Sequence, residues 1–242
     1  MKTLLAAFAA IALSATAASA QDVVRIGSEG AYPPYNFIND QNELDGYDRE
    51  VGDELCRRAE LNCEWVVNDW DTIIPNLVSG NYDAIMAGMS ITEERAQVIA
   101  FTDNYLLPEA SAYAALADAD ESVRDGVVAA QSNTIQASHV AETDATLVEF
   151  ATPDETVAAV RSGEADSVLA DRDFLVPIVE GSNGELAFVG ENVLLGGGLG
   201  IGIRQSDTEL RDKLNAALAE MKADGSINDL IVKWFGEDAQ VF

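Results

Sequence analysis

The sequence predicts an α/β protein folded as two lobes, and three observations lead there. Short apolar runs of strand length alternate with amphipathic helical patterns along nearly the whole chain, the signature of largely parallel sheets covered by helices. The chain has 242 residues, which leaves room behind a leader for two lobes of about 100 residues each. Two breaker-rich segments, Leu107-Pro108-Glu109 and Gly196-Gly197-Gly198, divide the alternation into three blocks, as in a chain that crosses between lobes and returns. Two connecting segments are the geometry of a hinge.

Taken in order, Lys2, the apolar run Leu4 to Leu13 and the small residues Ala18-Ser19-Ala20 have the arrangement of a secretory signal peptide over residues 1–20. The run is shorter than the roughly 20 apolar residues that span a bilayer, so the mature chain is expected to be soluble and periplasmic. No cysteine stands at the cleavage site to carry a lipid anchor. Val23-Val24-Arg25-Ile26-Gly27 reads as the first strand. Asp48 to Leu61 places Val51, Leu55 and Ala59 on one helical face, and Trp65-Val66-Val67 follows as a strand. Asp71 to Ser79 reads as a helix closed by Gly80, and Ala84-Ile85-Met86-Ala87 as a short buried strand. Thr92 is a candidate N-cap for a helix to Val98.

The middle block repeats the pattern. Val127-Val128-Ala129, Val148-Glu149-Phe150 and Ser167-Val168-Leu169-Ala170 read as strands, with helices over Thr134 to Ala141, Asp154 to Ser162 and from Asp171 to Val179. The last block gives a glycine-dense strand from Gly197 to Arg204, a helix from Asp207 to Lys222 and a final helix over Asp229 to Trp234. The expected division is a first lobe from 21–107 and 200–242, a second lobe from 112–190, and crossings at 108–111 and 191–199.

Composition narrows the function. The formal charge is −28, and removing Lys2 with the leader makes it −29. Phosphates would repel such a chain, which argues against nucleic-acid partners. The acidity either steers cations toward the surface or serves only to solubilise it. Cys56 and Cys63 are the two cysteines of the chain. In an exported protein they read as a disulfide, with two free buried thiols as the alternative. His139 is the sole histidine and no second cysteine pair exists, so neither a metal site nor a cofactor is expected.

In open α/β sheets ligands sit beyond the carboxyl ends of the strands. Those ends carry Glu29 and Tyr32 after the first strand, Trp70 after the second, Gly88, Ser90 and Arg95 after the third, and Thr134 and Asp171 in the middle block. One cation, two carboxylates, hydroxyls and two aromatics suit a free amino acid. Arg95 would fork onto a carboxylate, Asp171 with Ser90 would take an ammonium, and Glu29 would take a cationic side chain. Tyr32 and Trp70 would sandwich an aliphatic stem or a guanidinium plane. Each has a plainer reading: Arg95 as a solvated helix residue, Asp171 and Thr134 as helix caps, Tyr32 and Trp70 as core. The run Gly196 to Gly202 lacks the spacing of a phosphate cradle and reads as backbone flexibility.

The segments Glu29-Gly30-Ala31-Tyr32-Pro33-Pro34, Leu44-Asp45-Gly46-Tyr47-Asp48, Trp70-Asp71-Thr72-Ile73-Ile74-Pro75, Tyr82 through Thr92, Arg95, Phe101-Thr102-Asp103 and Gly200-Ile201-Gly202-Ile203-Arg204 occur in this order. Together they resemble the periplasmic solute-binding proteins of polar amino-acid ABC importers, among them the lysine/arginine/ornithine-, histidine-, glutamine-, arginine- and opine-binding proteins. The resemblance runs from Val24 to about Phe235. It implies a type II two-lobed binding protein with two crossover hinge strands, monomeric, closing over a ligand and docking on a membrane permease. It places the carboxylate-binding arginine at Arg95, the ammonium-binding aspartate at Asp171, the aromatic pair at Tyr32 and Trp70, the hydroxyl at Ser90 and the backbone grip at Gly88 and Thr134. It also matches Cys56 and Cys63 to a disulfide of the cationic-amino-acid members.

Departures bear on the ligand. The lysine/arginine/ornithine type has two serines where this chain has Ala87 and Gly88, and a glutamine where it has Ile135. Ala130 and Ile135 are expected to shape the far wall. Arginine is the first expectation, ahead of lysine, ornithine and histidine, with opines or polar neutral amino acids as the alternative. A different class, a periplasmic cyclohexadienyl-type dehydratase on the same fold, would need Asp171, Glu29 or His139 as an acid or base, and incubation with prephenate or arogenate followed by product detection would reveal it.

Overall fold

The structure, a computed structural model, describes residues 23–242; the leader read over residues 1–20 lies outside the described residues. Strand β1 (Val23–Ser28) leads into a small antiparallel flap of β2 (Ala31–Tyr32), β3 (Asn36–Ile38) and β4 (Leu44–Asp45). Helix α1 (Tyr47–Arg58), β5 (Asn62–Val67), a 3-10 turn at Trp70–Thr72, α2 (Ile73–Val78), β6 (Ala84–Ile85), α3 (Glu93–Ala96) and β7 (Ala100–Phe101) follow. The next block holds β8 (Ala110–Leu116), a 3-10 turn at Glu121–Asp125, β9 (Val127–Gln131), α4 (Ile135–Ala141), β10 (Thr146–Phe150), α5 (Pro153–Ser162), β11 (Ser167–Asp171), α6 (Arg172–Gly181) and β12 (Leu186–Leu194). The chain ends with β13 (Gly202–Ile203), α7 (Thr208–Asp224) and α8 (Ser226–Phe235).

Two five-stranded sheets result, ordered β5-β1-β6-β13-β7 and β10-β9-β11-β8-β12. The first takes strands from both ends of the chain and the second only from its middle, the arrangement of a two-lobed α/β fold. Tyr47, Val51 and Leu55 are fully buried on one face of α1, and they pack with Ile26, Met86, Leu218, Ile227 and Ile231. Burying each such aliphatic side chain contributes about 1.5–3 kcal/mol, so α7 and α8 are fastened to the first lobe by its own core. The second lobe has a separate core around Ala129, Val157, Val160, Val168, Phe174 and Leu175.

The short strands β2, β3, β4 and β7 and two long ones, β8 and β12, escape the sequence pattern. In β8, Ala110-Ser111-Ala112-Tyr113-Ala114-Ala115 is buried on both faces, so it shows no polar alternation, and alanine is a weak strand former. β12 pairs with β8 antiparallel, and the register shifts between Val189 and Val193. The glycine-dense strand expected over Gly197 to Arg204 shrinks to Gly202–Ile203. Gly196 and Gly198 have φ of 70° and 86°, a left-handed conformation no strand residue adopts. The helix read to Val98 stops at Ala96, although Thr92 does cap it, accepting from Arg95 N at 3.1 Å.

Cys56 of α1 and Cys63 of β5 form a disulfide, with their Cα atoms 6.2 Å apart. The loop it closes is short, so in a chain-entropy account it contributes about 2–3 kcal/mol. Replacing both cysteines with serine is expected to lower the melting temperature by roughly 5–10 °C while leaving the cleft's affinity for ligand unchanged, as calorimetry on the double variant would show.

Candidate functional site

Every strand end singled out in the sequence faces one cleft between the lobes. Glu29, Tyr32, Trp70, Ala87, Gly88, Ser90 and Arg95 line it from the first lobe; Gln131, Thr134, Ile135, Gln136 and Asp171 line it from the second. The end of β1 delivers Glu29, the flap's β2 delivers Tyr32, the loop from β6 to α3 delivers Gly88 and Ser90, and α3 itself delivers Arg95. Ala130 departs from expectation. It is fully buried within β9, and the following residue, Gln131, lines the cleft in its place because successive strand residues face opposite ways.

Arg95 is gripped by backbone and aromatic partners. Nη1 donates to Ser90 O at 2.9 Å and Nη2 to Asn133 O, across the cleft, at 3.1 Å. The guanidinium carbon lies 5.3 Å from the Trp70 ring centroid. Burial holds its pKa down to about 10, with partial relief from Asp171 and Glu94, and it stays charged at neutral pH. Two of its five N–H groups make these bonds, and the rest remain for an incoming acceptor. The indole Nε1 of Trp70 is buried with no protein partner.

Asp171 occupies the N-cap position of α6, yet its side chain makes no cap bond. Oδ2 accepts from Tyr32 Oη at 2.9 Å across the cleft, and Oδ1 accepts from Gln136 Nε2 at 3.0 Å. Tyr32 Oη accepts in turn from Asp171 N at 3.1 Å. Burial lifts the Asp171 pKa to about 6; the Tyr32 bond, Arg95 and Gln136 oppose that rise, and Asp173 adds to it. Burial and Asp171 together push the Tyr32 hydroxyl far above its ordinary range, so it remains a neutral donor.

Glu29 is 9% exposed and accepts from Gln131 Nε2 at 2.6 Å, again from lobe to lobe. Burial raises its pKa to about 7; the Gln131 bond lowers it, and the nearby charges are Asp69 and Asp71, both acids. Among the described residues no arginine, lysine or histidine pairs with it.

The aromatic pair is divided. Tyr32 stacks on Phe174 of the second lobe, with centroids 4.5 Å apart, and on Tyr35 at 5.5 Å, while Trp70 stacks on Arg95. The two rings line one cleft, Tyr32 already stacked with two aromatic neighbours and Trp70 with the guanidinium. Thr134 does cap α4: its hydroxyl accepts from Ala137 N at 3.1 Å and donates to Gln131 O at 2.7 Å. Gly88, with φ of 60°, donates its N–H to Asp48 Oδ2 at 2.8 Å, which leaves its carbonyl for a ligand.

Four contributing residues were given no role in the sequence reading, although Gln131 and Asn133 stand at a strand end there and Asp48 in a motif. Gln131 and Asn133 bridge the lobes, and Asn133 also donates from Nδ2 to Asp71 Oδ1 at 3.2 Å. Its φ of 58° is one that asparagine tolerates better than most residues. Gln136 is buried beside Ala137 and Val140 on the inward face of α4. A glutamine on an apolar helix face is the signal that would have found it. Asp48, fully buried, accepts from Asn36 Nδ2 at 2.9 Å, Gly88 N at 2.8 Å and Tyr105 Oη at 2.7 Å. Asn36 in turn accepts from Gly30 N at 2.8 Å, so Asp48 ties the Glu29 loop and the Gly88 loop together.

Known proteins share this architecture. The histidine-binding periplasmic protein of Escherichia coli K12 is 35% identical over 93% of each chain. The lysine/arginine/ornithine-binding periplasmic protein of the same strain is 30% identical over 97% of this chain and 96% of its own. A solved periplasmic His/Glu/Gln/Arg/opine family-binding protein from Silicibacter pomeroyi, in complex with lysine, superposes with a TM-score of 0.88 at 66% identity, covering 90% of this chain and all of its own. The model of the bacterial extracellular solute-binding proteins, family 3, matches residues 24–237, and the chain belongs to that family of periplasmic amino-acid-binding proteins.

Proposed function

We propose that this protein captures a cationic amino acid in the periplasm, arginine first with lysine, ornithine and histidine behind it, and delivers it to an ABC importer without chemical turnover. The lobes would be 21–107 with 200–242, and 112–190, hinged at 108–111 and 191–199. Arg95 forks onto the ligand's carboxylate, with backbone N–H groups near Ser90 and Thr134. Asp171, Ser90 and the Gly88 carbonyl receive its ammonium, and Glu29 receives the charge on its side chain. Trp70, Tyr32 and Ile135 pack along the stem.

The observation that carries the cationic assignment is Glu29. An ionised carboxylate is costly to bury unless it is paired, and this one has a single neutral side-chain donor and acids for neighbours. A guanidinium or ammonium from the ligand supplies the missing charge. Relatives named for histidine and for lysine, arginine and ornithine, and a solved relative holding lysine, support the same reading.

Closure follows if the ligand binds the closed lobes better than the open ones, which it does by touching both at once. A thermal-shift panel of the twenty amino acids is expected to give its largest stabilisation with arginine; no shift with any cationic amino acid would overturn the assignment.

The pH dependence is specific. Glu29, with a pKa of about 7 when empty, must ionise to meet a cation, so protonation competes with binding. Affinity for arginine is expected to be about tenfold weaker at pH 6 than at pH 8 through this group alone. Calorimetric titrations at the two pH values check it, with glutamine as the neutral comparison that lacks this component.

A further inference from the structure

Gln136 is 4% exposed, and both hydrogens of its amide nitrogen are engaged, one by Asp171 Oδ1 at 3.0 Å and one by Ser111 Oγ at 3.0 Å. A carboxylate only accepts, so the nitrogen of the amide must face Asp171. Ser111 is fully buried in β8, paired in register with Asp171 of β11 on one side and Val193 of β12 on the other. β8 and β12 are the strands that continue from the two crossings between lobes. The amide thus joins the carboxylate to the strand nearest the crossing.

The other donor to this carboxylate, Tyr32, belongs to the first lobe and departs with it when the cleft opens. Gln136 stays, because it and Asp171 share a lobe. The titratable and charged groups around Asp171 are Tyr32 and Tyr35 of the first lobe, Arg95 on α3, Asp173 on α6 and Glu109 just before β8. Only Arg95 among them is positive.

We propose that Gln136 is a positioning residue for amino-acid capture: it aims the Asp171 carboxylate into the cleft while the lobes are open and fixes that aim to strand β8. The proposal rests on the reading of Asp171 as the acceptor of the ligand's ammonium. In the open state this bond is the side-chain contact that keeps the carboxylate ionised and oriented, so the first encounter with ligand depends on it.

The test is calorimetric titration of arginine and lysine against the wild type and Gln136→Leu at pH 8, 7 and 6, with a thermal melt of each protein. Both affinities are expected to fall about tenfold at pH 8 by similar factors, since the ammonium is common to both ligands. The ratio of wild-type to variant affinity is then expected to widen toward pH 6, because the unsupported Asp171 takes up a proton first. Glu29 is present in both proteins and cancels in that ratio. A ratio below twofold, or one that is constant across pH, overturns the positioning role; the constant ratio is what mere loss of packing would give. Gln136→Met, with the same chain length and no donor, gives the same readout if the leucine variant does not fold. Ser111→Ala severs only the tie to β8 and is expected to weaken both ligands about threefold; no change overturns that part. Asp171→Asn separates the claims. If it binds as the wild type does while Gln136→Leu is weakened, the ammonium assignment fails; if it loses binding while Gln136→Leu keeps it, the positioning role alone fails.

Discussion

Arg95→Ala should abolish measurable binding of every amino acid, cationic or neutral, with a loss of a thousandfold or more. The guanidinium is the positive group that acts on Asp171, and Ser90 O and the Trp70 ring, both of its own lobe, hold it before ligand arrives. A pre-set fork needs little ordering when it meets a carboxylate, and burial strengthens each bond it makes. Truncation would leave the ligand's carboxylate buried and unpaired, which typically costs about 2–5 kcal/mol, and would also sever the cross-cleft bond to Asn133. Lysine should not rescue: a point ammonium cannot hold two carbonyls in fixed directions and still offer a fork. Isothermal titration with arginine, lysine and glutamine checks this, and a variant within tenfold of the parent for any of them would contradict it.

Glu29→Gln should instead split the ligands. Removing the carboxylate takes away the partner of a cationic side chain, so arginine and lysine affinity should fall about 30-fold, while neutral amino acids keep theirs within a factor of about three. The ligand-free protein should become more stable above pH 7. Glu29 prefers its proton when folded, so between its ordinary pKa of 4.5 and about 7 the folded state binds more protons than the unfolded one and stability declines as pH rises. A glutamine can still accept from Gln131 and carries no charge to desolvate, so this decline disappears. Paired melts at pH 5 and pH 8, without ligand and with arginine or glutamine, read both effects; equal weakening of arginine and glutamine would sink the role given to Glu29.

Much of the site was legible because ligand groups on an α/β chain cluster at strand ends, and strand ends can be found from apolar runs. Glu29, Tyr32, Trp70, Gly88, Ser90, Arg95, Thr134 and Asp171 follow from that rule, Ile135 came from the family resemblance, and all line the cleft. What stayed hidden was the support beneath them. Gln131 and Gln136 act through amides whose partners lie 102 and 35 residues away, and a local pattern can flag the glutamine but not the partner it meets. Asp48 was visible as part of a motif, but its triple hydrogen bond depends on Asn36, Gly88 and Tyr105 converging in space. The alanine strand β8 was missed for a related reason: a strand buried on both faces loses the alternation that identifies strands. The division of the aromatics between Arg95 and Phe174 likewise came from tertiary neighbours, not from spacing.

The bonds that span the cleft have a kinetic consequence. Arg95 to Asn133, Asp171 to Tyr32 and Glu29 to Gln131 bind lobe to lobe through residues assigned to the ligand, and Asp71 to Asn133 adds a fourth link beside them. Residence time is then set by how often all of these let go together, and a tight ligand is a slow one. Under the proposed function, a membrane partner that hastens release would gain nothing by competing for an amino acid walled in by both lobes. It has to take hold of the two lobes from outside and pry, so that the force of handover falls on protein contacts first and on the cargo last.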